Sequence, residues 1–273
     1  MKILIASLTV LINFKLFALP TEIIQGVEGT MDGTGQHMVF ISMVNEITEN
    51  GQTYLERHNC SASIINSNTV MTASHCFGMN PIDIAKIKYA QIYFSLDVNK
   101  DKSVFFTTTK FKTHPDFNTK KDYLNNDIAL LHFDQKLPRG YHPAEYQKED
   151  DTLLLGREFR AAGYGQRYDH SNPIAHTALS LGKLMSTKLI FDSVFPNTDL
   201  FPHHISAQQT QTGICNGDSG GAAFIKTPQG GFKIVGINSS TGTDKSCLDG
   251  KSYFTRVYLF KDWIAQTLNE FTK

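Results

Sequence analysis

The feature that most constrains the fold is a series of short apolar or β-branched runs separated by turn-forming residues. Parallel strands would need helical crossovers, and such crossovers are mostly missing between the runs. The pattern therefore predicts an all-β fold, made of closed antiparallel barrels or a sandwich. The runs span Met38 to Val44, Ser63 to Ile65, Thr69 to Thr72, Ile87 to Phe94, Val104 to Phe111, Ile128 to Phe133, Phe159 to Ala162, Ala222 to Ile225, Phe232 to Ile237 and Tyr253 to Val257.

The C-terminus departs from this strand pattern. Its apolar residues recur at helical spacing with polar residues between them, which predicts an amphipathic α-helix over about residues 259–270. Trp263, the only tryptophan, lies on the apolar face of this helix. We interpret it as a residue that docks the helix on the core and not as a ligand contact.

The balance of charge narrows the classes of function. The chain has 26 Lys and Arg residues against 26 Asp and Glu residues, so no net field attracts nucleic acid or an anionic membrane. With 41% hydrophobic residues among 273, it can bury a large core. No repeat or flexible linker interrupts it, so any domain boundary is expected to be a packed one. Recognition must therefore depend on a shaped site.

The N-terminus resembles an export signal. A positive charge precedes an apolar run from Ile3 to Phe14, and Ala18 is a small residue suited to a cleavage point. We expect a signal peptide over residues 1–18 and a secreted protein, extracellular or periplasmic, with no membrane association after signal removal. The alternatives are a retained anchor or a buried strand; Asn13 and Lys15 interrupt the run, which is short for a bilayer.

Four cysteines in an exported chain indicate two disulfides, because the ligand spacings typical of zinc are absent. Three pairings are open at this point. A second motif suggestive of metal is the alternation of Asp97, Asn99 and Asp101. Lys102 stands where a calcium loop needs glycine and Thr108 where it needs glutamate, so we interpret the segment as a solvated hairpin and expect no metal.

A glycine-rich segment around Ser219 carries the strongest chemical signal. It runs from Cys215 to Gly221 and reads Cys-Asn-Gly-Asp-Ser-Gly-Gly. Such a loop can expose a hydroxyl while backbone N–H groups converge beside it, because glycines tolerate unusual dihedral angles. Taken alone, the string is also compatible with an ordinary glycine-rich turn.

A serine nucleophile needs a base near neutral pH and a carboxylate that orients the base. His75, in Thr-Ala-Ser-His-Cys, directly follows an apolar run, whereas the other nine histidines lack such a setting. Asp127, in Asn-Asn-Asp-Ile-Ala-Leu-Leu, is carried by an apolar run to the mouth of a core strand. There an unpaired charge would be costly, although a strand-edge cap is the alternative for this segment alone.

These three segments, in this order and at comparable separations, resemble the chymotrypsin (trypsin-like) serine protease family. The likeness extends from Ile23 to the terminal helix. It implies two packed six-stranded antiparallel β-barrels, about residues 23–140 and 141–258, followed by the helix. It also implies a secreted serine endopeptidase, monomeric and without cofactor, that acts on polypeptide substrates and is open to protein inhibitors.

The resemblance assigns roles residue by residue. His75, Asp127 and Ser219 would form the catalytic triad, Gly217 and Ser219 would donate N–H groups to the oxyanion hole, and Ser239 would support Asp127. Two disulfides are implied, Cys60–Cys76 and Cys215–Cys247.

The family also activates by cleavage, and Ile23-Ile24-Gln25-Gly26 resembles its new N-terminus. Residues 19–22 would then be a short propeptide, and the freed ammonium of Ile23 would insert beside Asp218. Glu22 precedes the cut, so a trypsin-type activator is not expected.

The substrate pocket is predicted from four residues. By the family pattern Gly213 is the floor, with Ile214 beside it, Thr241 at the entrance and Ser252 near the base. Without an acidic floor, a buried arginine or lysine would be unpaired, so a small or medium uncharged residue before the cut is expected. One alternative is trypsin-like specificity, with an acid supplied by Asp244 or Asp249 of the 241–250 loop; another is cleavage after Glu.

Two other classes of function are compatible with parts of the pattern. A protease-like binding protein that has lost catalysis is disfavoured because all three triad residues are present. An esterase of another fold is disfavoured because its serine would precede the histidine in the chain.

Overall fold

The computed structural model describes residues 23–24, 26–117, 124–150, 152–169, 180–194, 203–241, 246–248 and 250–273. The predicted signal peptide and propeptide lie outside these residues, as do Asp244 and Asp249.

The described residues form fifteen β-strands and two α-helices, with short 3₁₀ helices between some of them. The strands are β1 (Val27–Glu28), β2 (Met38–Glu49), β3 (Gln52–Asn66), β4 (Thr69–Thr72), β5 (Ile87–Tyr93), β6 (Phe105–Thr108), β7 (Phe111–Thr113), β8 (Ala129–His132), β9 (Glu145–Tyr146), β10 (Glu158–Gly163), β11 (Met185–Val194), β12 (His204–Gln209), β13 (Ala222–Lys226), β14 (Phe232–Thr241) and β15 (Gly250–Arg256). The helices are α1 (Pro81–Ala85) and α2 (Lys261–Phe271).

The first sheet has the strand order β6-β5-β2-β3-β4-β8-β7, with antiparallel neighbours throughout. Its two edge strands, β6 and β7, are separated in the chain only by Thr109 and Lys110, so the sheet curls back towards itself as a half-barrel. A single strand was predicted here. The break arises because Thr108 uses its hydroxyl both to donate to the His132 carbonyl (2.5 Å) and to accept from the Lys110 N–H (2.9 Å).

The second sheet is a closed barrel. Its ring runs β11-β10-β13-β14-β15-β12 and is closed by pairing of β12 with β11. Strand β1 pairs with β11 and strand β9 pairs with β14, and neither strand belongs to the ring. The all-β prediction and the double-barrel fold class are thus confirmed.

Burial explains why these segments form strands. All four residues of β4 and of β8 are buried, and these two strands pair in the first sheet. The second barrel is filled by aliphatic side chains and three phenylalanine rings, with Phe159 stacked on Phe191 at 3.7 Å between centroids. The predicted C-terminal helix is present as α2, and Trp263 packs against the core, as the docking interpretation requires. Among the described residues, no helix is both long enough and apolar enough to cross a bilayer.

Candidate active site

His75 is held at the end of β4 because each of its two neighbours in the chain is bonded to another part of the fold. It lies in a single 3₁₀ turn, Ser74–Phe77, that follows the buried strand. The next residue, Cys76, forms a disulfide with Cys60 of β3. The preceding residue, Ser74, donates its hydroxyl to the Ile128 carbonyl at 2.6 Å. The histidine backbone is therefore restrained from both sides.

Asp127, just before β8, is fully buried, and its carboxylate accepts three hydrogen bonds. Its Oδ2 lies 2.7 Å from His75 Nδ1, and its Oδ1 accepts the His75 backbone N–H at 2.9 Å. Ser239, on β14 of the other sheet, donates its hydroxyl to Oδ2 at 2.6 Å. A carboxylate bonded to Nδ1 leaves Nε2 of the histidine as the atom that can exchange a proton.

The charges of this pair stabilise each other. Burial alone would lower the pKa of His75, but the charge of Asp127 and its hydrogen bond outweigh burial, so the pKa of His75 is raised. Burial alone would raise the pKa of Asp127, but His75 and the Ser239 hydroxyl hold that pKa below its usual value. The pair thus favours an ionised carboxylate and a histidine that readily accepts a proton.

Ser219 and His75 line the same cavity, which the structure forms between the two sheets. The Asn216 carbonyl accepts from the Gln166 N–H at 2.8 Å. The Asp218 carbonyl accepts from the Asn238 side chain at 3.0 Å. In a trans peptide the N–H points opposite to the C=O, so the N–H groups of Gly217 and Ser219 face away from these partners.

Neither of these two N–H groups has a hydrogen-bond partner among the described residues. Gly217 has a φ of +90°, a conformation that favours glycine. Two unpaired N–H groups next to a serine can stabilise a developing oxyanion.

Asp218 is fully buried and is bonded by the N–H groups of Cys215 (2.8 Å) and Gly165 (2.7 Å). Burial raises its pKa to about 7, although these two hydrogen bonds act in the opposite direction. Its expected partner, Ile23, is fully buried, and Ile24 packs on the Cys215–Cys247 disulfide.

The cavity at Ser219 has a volume of about 250 Å³ and differs from the predicted pocket at its base. Ile214 and Thr241 line this cavity, whereas Gly213 and Ser252 do not. The physical reason is Gln209, whose side chain occupies the space in front of Gly213: a Cβ on Gly213 would lie 2.0 Å from Gln209 Oε1.

Gln209 is buried and its amide is fully engaged. Oε1 accepts the Ile214 N–H at 2.5 Å. Nε2, which has two protons, lies within hydrogen-bond distance of three acceptors, the Thr241 hydroxyl at 2.8 Å and the carbonyls of Ile214 and Cys247. The glutamine therefore acts as a plug that makes the pocket shallow. Sequence reasoning missed it because a glutamine at the end of a strand carries no signal of its own.

A larger groove, of about 1140 Å³, extends from the other side of Ser219. The extended hairpin of β2 and β3 forms one wall, and the segment from Cys76 to Met79 forms another. A polypeptide can therefore approach the serine from both sides of the site.

The described residues bring one group of potential metal ligands together, Cys60, His75 and Cys76. The two sulfurs are bonded to each other, so they offer no thiolate to a metal. In the acidic hairpin, Asp97 Oδ1 accepts the Asn99 N–H and Asp101 Oδ1 accepts the Ser103 N–H. These local bonds agree with the interpretation of a solvated turn.

Two β-barrel sheets that meet at a serine and a buried acid–histidine pair define the class of double-barrel serine hydrolases. A sequence model of the trypsin family matches residues 23–264, and the chain belongs to this family.

Two relatives agree with this assignment, and a solved structure shares the fold. The chain is 25% identical over 237 residues to "Fibrinolytic enzyme, isozyme C" of Lumbricus rubellus, covering 80% of this chain and 92% of the relative. It is 24% identical over 218 residues to "Trypsin" of Sus scrofa, covering 77% and 86%. A solved structure of HL collagenase shares the fold with a TM-score of 0.66 at 19% identity, covering 89% of this chain and 97% of the other.

Proposed function

We propose that this protein is a catalytically active, secreted serine endopeptidase with His75, Asp127 and Ser219 as its triad. The observation that carries the proposal is the buried Asp127–His75 pair, with a 2.7 Å bond at Nδ1, in one cavity with Ser219. A binding protein that has lost catalysis needs no complete triad, whereas His75, Asp127 and Ser219 are all present here.

The proposed reaction follows the established scheme of the family. Ser219 Oγ attacks the carbonyl carbon of the scissile peptide bond while His75 Nε2 takes the hydroxyl proton. The N–H groups of Gly217 and Ser219 stabilise the oxyanion, and His75 then protonates the leaving amine. Water attacks the resulting acyl-enzyme in the same way and frees Ser219.

We propose that the residue before the cut is small or medium and uncharged. The cavity of about 250 Å³ supports this specificity because the Gln209 side chain fills the space in front of Gly213 that a long side chain would need. Gln209 also brings no negative charge, so an inserted arginine would be desolvated without a partner. Specificity for basic residues, through Asp244 or Asp249, is the competing proposal; both residues lie outside the described part of the chain.

Secretion and activation belong to the same proposal. The two disulfides suit an oxidising compartment, and the apolar N-terminus suits an export signal over residues 1–18. Cleavage after Glu22 would then release Ile23, which the buried carboxyl of Asp218 supports as a partner. We propose one protease domain over residues 23–273, acting as a monomer on polypeptides and open to protein inhibitors.

The test is covalent labelling with a peptidyl phosphonate, followed by turnover of matched peptides that differ only before the cut. We expect labelling of the processed protein at Ser219, none of the Ser219→Ala variant, and the highest kcat/KM for Ala, Val, Thr or Leu. A folded protein that is never labelled would be a binding protein. Turnover of esters without peptides would indicate an esterase, and a preference for Arg or Lys would refute the pocket assignment.

A further inference from the structure

Ser61 links the first sheet to the segment Cys215–Gly221 that carries Ser219, which we call the serine loop. It lies on β3 of the first sheet, next to the disulfide at Cys60, and is fully buried. Its backbone N–H donates to the Ser219 carbonyl at 2.8 Å. Its own carbonyl accepts the Thr72 hydroxyl at 2.8 Å, so the backbone of Ser61 is held in place from the strand side.

The hydroxyl of Ser61 makes a second link to the same loop. It lies 2.9 Å from the Tyr164 N–H and 3.0 Å from the Gly217 carbonyl. The Tyr164 N–H can only donate, so Ser61 Oγ accepts there and its single proton goes to the Gly217 oxygen. The Ser61 hydroxyl thus both accepts and donates a hydrogen bond, and the donor and acceptor of each bond are fixed.

This bond acts on the carbonyl of the peptide between Gly217 and Asp218. That peptide lies between the two peptides whose N–H groups, those of Gly217 and Ser219, face the proposed oxyanion hole. Gly217, at φ +90°, has no side chain that restricts rotation of this peptide. The other two peptides of the loop have their own partners, at the Asn216 and Asp218 carbonyls. The Ser61 hydroxyl holds the carbonyl of the peptide between them, whose N–H, that of Asp218, donates to the Cys215 carbonyl at 3.0 Å.

We propose that Ser61 is a positioning residue of the oxyanion hole: its hydroxyl holds the Gly217 carbonyl and so keeps the N–H groups of Gly217 and Ser219 convergent. The inference rests on the proposed function of Ser219. Ser61 does not touch substrate, and its effect reaches the reaction only through the loop. A loose hole weakens binding of the transition state more than binding of the substrate.

The test compares Ser61→Ala with Ser63→Ala in processed enzyme. Ser63 is the matched control, since it is also buried on β3 and its hydroxyl also bonds a backbone carbonyl, that of Met71 at 3.5 Å, away from the serine loop. For Ser61→Ala we expect kcat per phosphonate-titrated site to fall roughly three- to tenfold with KM unchanged, the range set by one neutral hydrogen bond. Ser63→Ala should leave kcat unchanged.

Two further measurements separate positioning from general damage. The affinity for a peptide boronate, which forms a tetrahedral adduct, should fall by the same factor as kcat, while the affinity for a non-covalent peptide inhibitor stays constant. Ser61→Thr keeps a hydroxyl and should restore most of kcat. It also carries the test if Ser61→Ala does not fold.

The outcomes are distinct. Unchanged kcat per titrated site in Ser61→Ala overturns the inference. So does an equal loss of boronate and non-covalent inhibitor affinity, because that pattern indicates a general structural defect. If wild-type enzyme is neither titrated nor active, the proposed function fails first, before Ser61 is tested.

Discussion

The buried carboxyl of Asp218 predicts how the stability of the uncleaved chain depends on pH. Burial raises its pKa from the usual 3.8 to about 7, and its bonds are to backbone N–H groups, not to a cation, among the described residues. A difference of about three pH units corresponds to about 4 kcal/mol. Because the folded-state pKa is raised, this contribution to stability is fully present below pH 3.8 and is lost as the pH rises through about 7.

The assay compares the uncleaved chain with its Asp218→Asn variant, both carrying Ser219→Ala so that neither can process itself. Urea unfolding at pH 4 and pH 8 gives the free energy of unfolding of each. Asparagine cannot ionise, and its lost acceptor is a penalty independent of pH. We therefore expect the parent to lose about 4 kcal/mol relative to the variant between pH 4 and pH 8.

The processed chain, beginning at Ile23, is the control. There the freed ammonium should pair with Asp218, lower its pKa and abolish that loss. An uncleaved chain whose difference from Asp218→Asn stays constant with pH would refute the reasoning. A processed chain with the same loss as the uncleaved one would refute the proposed ion pair.

Three further predictions address catalysis and specificity. Ser219→Ala should lower kcat about a million-fold while a non-covalent peptide inhibitor still binds, and residual activity above a few per cent of wild type would exclude Ser219 as the nucleophile. Asp127→Asn should lower kcat about 10⁴-fold. It should also move the acid limb of kcat/KM to lower pH, because His75 loses the charge that raises its pKa; an unmoved limb contradicts the assignment. Gln209→Ala should remove the plug and raise kcat/KM for Leu relative to Ala before the cut, by about fourfold for each additional methylene buried, and an unchanged ratio would place the base of the pocket elsewhere.

Much of the fold was predictable because its core strands are apolar. The strand Thr69–Thr72 was predicted with its observed bounds, and the run from Ala222 to Ile225 differs from β13 by one residue. Strands β11 and β12 were missed. Both bury polar residues, such as Ser186 and Ser206, whose burial depends on neighbouring strands and leaves no apolar pattern in the sequence.

The residues of the candidate site likewise divide into those that the sequence could predict and those that it could not. His75, Asp127 and Ser219 stand in distinctive local sequences, so the residues could be selected before the fold was known. Gln209 and Ser61 could not. Each acts through a contact distant in the chain, the first on Thr241 and the second on Gly217, and a single buried polar residue in a strand does not indicate which carbonyl or hydroxyl it will meet.

The hydrogen bonds that cross between the two sheets make catalytic activity depend on the docking of the two halves during folding. Asp127 belongs to the first sheet, yet Ser239 donates to its carboxylate and Thr255 to its carbonyl from the second. His75, from the same half, bonds both carboxylate oxygens, but the carboxylate gains its Ser239 hydrogen bond only when the two halves have docked. Regain of turnover during refolding should accordingly report docking and not strand formation, so it should lag behind the far-ultraviolet signal of the sheets.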